Sequence, residues 1–81
     1  MNYRNVLNKG TSILKKFSIP SAQIDAELLL SLALKKNRER IILNLEENLN
    51  TFQAKNYFQL IERRKKREPI SIILGKKFFW K

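Results

Sequence analysis

Neither cysteine nor histidine occurs in this chain of 81 residues. The two absences together remove disulfides, thiol nucleophiles, imidazole bases and the usual zinc-ligand sets. Glycine and proline are scarce, at two each, which argues against a turn-rich β protein. Gly10 and Gly75 lie near opposite ends of the chain, whereas a phosphate-cradling loop needs several glycines just ahead of a helix. Apolar runs are short as well. The longest, Leu28 to Leu34 with Ser31 inside it, falls far below the roughly 20 residues of a membrane span. Asn2, Asn5 and Asn8 interrupt the first apolar residues, so this end does not read as a signal peptide. Acids are few, Asp and Glu numbering 7. No two of them are placed as periodicity and burial would require for acid–base work, and no active site is expected.

What is present is apolar and basic. Hydrophobic residues make up 43% and fall in Leu/Ile/Lys/Glu-rich stretches, the composition of packed helices rather than of a disordered chain. A chain of this length holds one small core. The expected fold is all-α, a bundle of four to five short helices over 1–75, with an extended tail at 76–81 that forms a linker or a first strand. The formal net charge of +10 is compatible with a polyanionic partner, since Lys and Arg neutralise phosphates. Lys, Asn and Ile are abundant together, a bias of AT-rich genomes, so solvated surface charge is the preferred reading.

Helical periodicity first appears from Asn2 to Phe17, where Val6, Leu7, Leu14 and Phe17 mark an inner stripe and Asn2 is the cap. Gly10 lies on that stripe; glycine inside a helix costs about 1 kcal/mol, and close approach of a neighbouring helix would explain it. Ser18-Ile19-Pro20-Ser21 breaks the pattern. With Ser21 as cap, a second helix runs from about Ala22 to Lys35 and turns Ile24, Leu28, Leu29 and Leu32 inward. Leu30 and Leu34 lie off that stripe, so this helix is expected to be covered on two sides and central to the bundle. A short third helix spans Arg38 to Leu45 with Ile41, Ile42 and Leu45. After a loop at 46–50, Thr51 caps a fourth from Phe52 to Lys66, with Phe52, Tyr57, Leu60 and Ile61 as core positions. Pro69 starts a final turn that Gly75 closes in the left-handed conformation.

Two features carry functional interest. Asp25 sits beside the apolar stripe of the central helix; it reads either as a first-turn acid complementing the helix dipole or as half of a structural ion pair with Arg63 or, as the named candidate, Arg64, fixing how the second and fourth helices meet. The run Arg63, Arg64, Lys65, Lys66 and Arg67 falls at a helix C-terminus, where cations are favoured in any case, and is the candidate partner-binding patch, joined by Arg38 and Arg40 if the third helix packs nearby. Tyr57 and Phe58 read as packing residues rather than base-stacking platforms. Phe78-Phe79-Trp80-Lys81 is a large apolar ending, expected of the front part of something longer.

Asp25-Ala26-Glu27-Leu28-Leu29 resembles the Asp-Ala-Glu-x-Leu-Leu helix opening in the N-terminal domain of the HemK/PrmC family, the protein-(glutamine-N5) methyltransferases of peptide chain release factors. Arg63-Arg64, Glu68-Pro69-Ile70, Leu74-Gly75 and Phe79-Trp80 resemble the family's Arg-Arg, Gly-Glu-Pro, Gly and Glu-Phe-Trp series. Arg67 departs from it, standing where glycine is usual; a left-handed cap there costs about 1 kcal/mol, and a different turn before Pro69 is expected. Ile72 and Phe78 also depart, from an aromatic or histidine and from Glu. The resemblance implies a cytoplasmic domain that recognises the release factor ahead of its own C-terminal methyltransferase domain. That second domain binds S-adenosylmethionine and uses Asn-Pro-Pro-Tyr to hold the glutamine of a Gly-Gly-Gln loop. Neither its glycine-rich motif nor Asn-Pro-Pro-Tyr occurs in this sequence, so no catalytic, cofactor-binding or metal residue carries over. The rival reading is a free-standing basic helical module that binds RNA or a ribosomal surface.

Overall fold

The computed structural model describes residues 1–75. They form five helices and, among the described residues, no strand: α1 (Tyr3–Lys16), α2 (Ala22–Leu34), α3 (Arg38–Leu43), α4 (Thr51–Lys65) and α5 (Ile70–Leu74). The tail expected at 76–81, with Phe78 to Trp80, lies outside the described residues. α1 packs along α2, α4 closes against both, and α3 and α5 each rest on α2. The expected all-α bundle with a central second helix is therefore the fold.

Three of the five helices, α1, α3 and α4, start after asparagine. Asn2 accepts from the Asn5 amide at 2.8 Å, and Asn37 from the Arg40 amide at 2.9 Å. The cap of α4 is Asn50, not Thr51. Its side chain accepts from Gln53 N at 2.7 Å while Gln53 Oε1 accepts from Asn50 N at 3.0 Å. Asn50 wins because Gln53 stands at the third helical position and can reciprocate, whereas Ala54, which would hold that place for Thr51, cannot. The α3–α4 loop serves α1 as well: Tyr3 and Arg4 donate their amides to the carbonyls of Glu47 and Leu45 at 2.8 and 3.0 Å. Orphan donors of the first turn are thereby satisfied by the chain itself.

Helix ends are more unusual. α1, α2 and α4 each finish with paired hydrogen bonds of the Schellman type: Ile19 N to Leu14 O, Lys36 N to Ser31 O and Glu68 N to Arg63 O, at 3.0, 3.2 and 3.2 Å, close the outer rings. The left-handed residue is Ser18, Lys35 or Arg67, none of them glycine, at φ +62°, +58° and +72°. Arg67 thus adopts the turn that glycine would make easily, against the expectation of a different turn there. The strain, of order 1 kcal/mol per site, is carried by the surrounding hydrogen bonds. Gly75 ends α5 at φ +66°, ψ −173°, a region open essentially to glycine alone and distinct from the expected left-handed cap.

The core is built on Val6, Leu14, Ala26, Leu29, Leu30, Ile41, Tyr57 and Ile61, each fully buried. Gly10 is where α4 approaches α1: a Cβ there would overlap the Tyr57 hydroxyl and meet Ile61 Cδ1 at 3.1 Å. The inner stripe of α2 differs from the expected one. Ile24 is 50% exposed, Leu28 and Leu32 are half-buried, and the buried set is Ala22, Asp25, Ala26, Leu29, Leu30, Ser31 and Leu34. α2 is apolar on nearly every side, so periodicity does not fix its phase. Phe17, Ile42 and Phe52 are likewise exposed rather than core. Phe17 follows the last helical residue, and Phe52 lies five positions before Tyr57, on the opposite flank of α4, while Leu49 of the preceding loop is buried instead.

Leu29→Ala is expected to cost about 2 to 5 kcal/mol in urea unfolding, and Leu28→Ala only about 1 kcal/mol, because only the first opens a fully enclosed cavity.

Candidate functional site

The functional candidates converge where the start of α2 meets the end of α4. Ser21 occupies the cap position of α2, yet its side chain caps no amide. The hydroxyl instead donates to Asp25 Oδ2 at 2.8 Å. Arg64 Nε donates to the same oxygen at 2.8 Å, and the two side chains retain only 3% and 16% of their surface exposed. Arg64 Nη1 reaches on to the Glu68 carbonyl at 3.0 Å. One guanidinium therefore holds the first turn of α2 and the turn between α4 and α5 together. Such a pair specifies geometry more than it stabilises, but stranding either charge is costly. Among the described residues, no buried side-chain nitrogen or oxygen lacks a partner.

The remaining members of the basic run divide sharply. Arg63 binds Glu68 with both Nε and Nη2, the first at 2.9 Å. That fork is the main cause holding the Glu68 carboxyl below, and the Arg63 guanidinium above, its ordinary range. Lys65 pairs with Glu62 at 3.0 Å and lies 4.8 Å from the centre of the Phe17 ring, within cation–π range. The exposed Lys66 side chain makes no hydrogen bond or ion pair among the described residues. The Arg67 guanidinium donates only to the neutral Phe17 carbonyl, at 2.9 Å. Of five candidate residues, three are thus matched to acids inside the fold, and Lys66 and Arg67 keep uncompensated charge. Arg38 lies on the other side of α2, paired with Glu27 at 3.1 Å.

Tyr57 is fully buried, its hydroxyl donating to the Ala26 carbonyl at 3.3 Å and its ring edge-on to Phe58 at 5.1 Å. Burial first, and the Glu27 charge second, push its pKa well above the usual phenol range. It is a neutral packing residue that no nucleobase reaches. Among the described residues, no group of three or more His, Cys, Asp or Glu side chains is placed to hold a metal, and no helix is long and apolar enough to cross a membrane. The one buried carboxylate, Asp25, is already committed to Arg64 and Ser21. This arrangement ties the start of α2 to the end of α4 and leaves cationic charge at the surface.

Sequence reasoning named Asp25, Arg64 and the basic run. It missed Phe17 as the point where α4 meets the end of α1, because residues beyond a helix end have no periodicity to aim them. The only available signal was a large aromatic immediately before a break.

The PrmC N-terminal domain family matches residues 5–75. A release factor glutamine methyltransferase of Clostridium botulinum is 45% identical over 75 residues, which cover 93% of this chain and 26% of that protein. One from Coxiella burnetii is 39% identical over 77 residues, covering 95% of this chain and 26% of that protein. A bifunctional methyltransferase of Rickettsia felis is 39% identical over 77 residues, covering 95% of this chain and 15% of that protein. The chain therefore spans about a quarter or less of these relatives' length. No solved structure matches it significantly.

Because Glu68 has a depressed pKa in the folded protein, its contribution is complete above the unfolded value, about 4.3, and is lost as pH falls through the lower folded one. Acid titration followed by circular dichroism is expected to show a smaller stability loss below about pH 4 in Glu68→Gln than in the unmodified chain.

Proposed function

Since the chain belongs to the PrmC N-terminal domain family, we propose that it is the release-factor-recognition domain of an S-adenosylmethionine-dependent protein-(glutamine-N5) methyltransferase, working in the cytoplasm. In this reading it holds a peptide chain release factor while the parent protein's own C-terminal domain methylates the glutamine of the Gly-Gly-Gln loop. The observation that supports it most is the family match running through both sequence blocks that meet in space, Asp25 on α2 and Arg64 with Glu68 beyond α4.

The methyl donor does not fit these residues. Gly10 is packed inside α1 against Tyr57 and Gly75 closes α5, so neither opens a glycine-rich loop onto a helix. Donor binding and chemistry are assigned to the C-terminal domain, and recognition to this one. Within the run Arg63, Arg64, Lys65, Lys66 and Arg67, the last two are the ones assigned to the partner.

Isothermal titration of the chain with a peptide chain release factor is the test. Saturable one-to-one binding is expected. Absence of release-factor contact, together with tight binding to structured RNA that falls steeply with salt, would instead establish the free-standing basic module.

A further inference from the structure

Cationic charge is unevenly compensated over the described residues. All seven acids lie among the described residues, and five of them, Asp25, Glu27, Glu46, Glu62 and Glu68, are held in ion pairs within the chain. Lys15 and Lys16 in the last turn of α1, and Lys66 and Arg67 at the end of α4, have no ion pair among the described residues and are all exposed. Phe17 joins these two helix ends: its carbonyl accepts from Arg67 at 2.9 Å, and its ring, 43% exposed, carries the Lys65 ammonium at 4.8 Å. The Schellman bonds satisfy carbonyls in the last turn of both helices, those of Leu14, Lys15, Arg63 and Arg64, and cations at helix C-termini are favoured by the dipole.

We infer that the C-terminal turns of α1 and α4 form one composite docking face, Lys15, Lys16, Lys66 and Arg67 around Phe17, and that its occupant is a carboxylate-rich segment of the protein partner carrying an apolar side chain. The inference rests on the recognition role proposed above and specifies its chemistry. Charge complementarity selects the acid, and the half-exposed ring supplies a desolvated centre such as interfaces favour. A nucleic-acid strand fits less well. A protein that grips a duplex through about 6–10 phosphate contacts uses more cations than these four side chains provide. Lys65 also already lies over one face of the ring on which a base would stack.

The test is fluorescence titration of a labelled release factor with the unmodified chain, with K16E/K66E, and with K9E/K55E, which makes the same change in net charge elsewhere on the surface. None of these lysine side chains has an ion pair or hydrogen bond among the described residues, so circular dichroism should be unchanged. K16E/K66E is expected to weaken binding about tenfold or more at ~50 mM salt, the deficit shrinking at ~500 mM as exposed charges are screened. K9E/K55E should bind within about twofold of the unmodified chain. Equal loss in both variants, or no loss in K16E/K66E, overturns the composite face while leaving recognition by the domain intact. Failure of the unmodified chain to bind at all defeats the recognition role itself. A U-rich RNA oligonucleotide bound more tightly than the release factor, and released by K16E/K66E, would reassign the face to nucleic acid.

Discussion

The contact between Arg64 and Asp25 is the constraint from which the rest of this small domain is arranged. A carboxylate buried to this degree is sustained only by a partner that satisfies it, and here Ser21 and Arg64 do so on one oxygen. The start of α2 is thereby tied to the last turns of α4. Because the same guanidinium also binds the Glu68 carbonyl, the turn into α5 is fixed by the contact that joins α2 and α4. α1 then settles against both, with Gly10 admitting the Tyr57 hydroxyl at the closest approach.

That constraint also sorts the charges. A run of five cations looks like a single functional patch in sequence, but folding draws Arg63, Arg64 and Lys65 into pairs with Glu68, Asp25 and Glu62. These residues shape the domain, and the uncompensated cations are displaced to its edge. There the end of α1 brings two more, so this cationic edge is assembled by tertiary structure from residues about fifty positions apart in sequence. The buried Asp25 is committed to this frame through one oxygen, which accepts from both Ser21 and Arg64.

Much of this was legible in the residues. Asn2 as a cap, the break at Pro20, the close approach at Gly10 and the helices themselves follow from local chemistry. Asp25 stood out because a charged group beside an apolar stripe needs a partner. What was not legible depended on phase or on distance. α2 is apolar almost all round, so Ile24 and Leu28 were indistinguishable from the buried Leu29 and Leu30. Thr51 and Asn50 are both good caps, and the choice turned on Gln53 two or three positions later. Left-handed Ser18, Lys35 and Arg67 could not be read from residue type, since the hydrogen bonds that hold them are formed only in the folded turns.

A double-mutant cycle on Asp25→Ala and Arg64→Ala, read by urea unfolding, tests the central claim most directly. If the pair organises the bundle, Arg64→Ala strands a buried carboxylate and costs about 3 to 5 kcal/mol, and the double variant recovers a large part of that loss. Single costs below about 1 kcal/mol that simply add would mark an ordinary surface pair that does not organise the bundle.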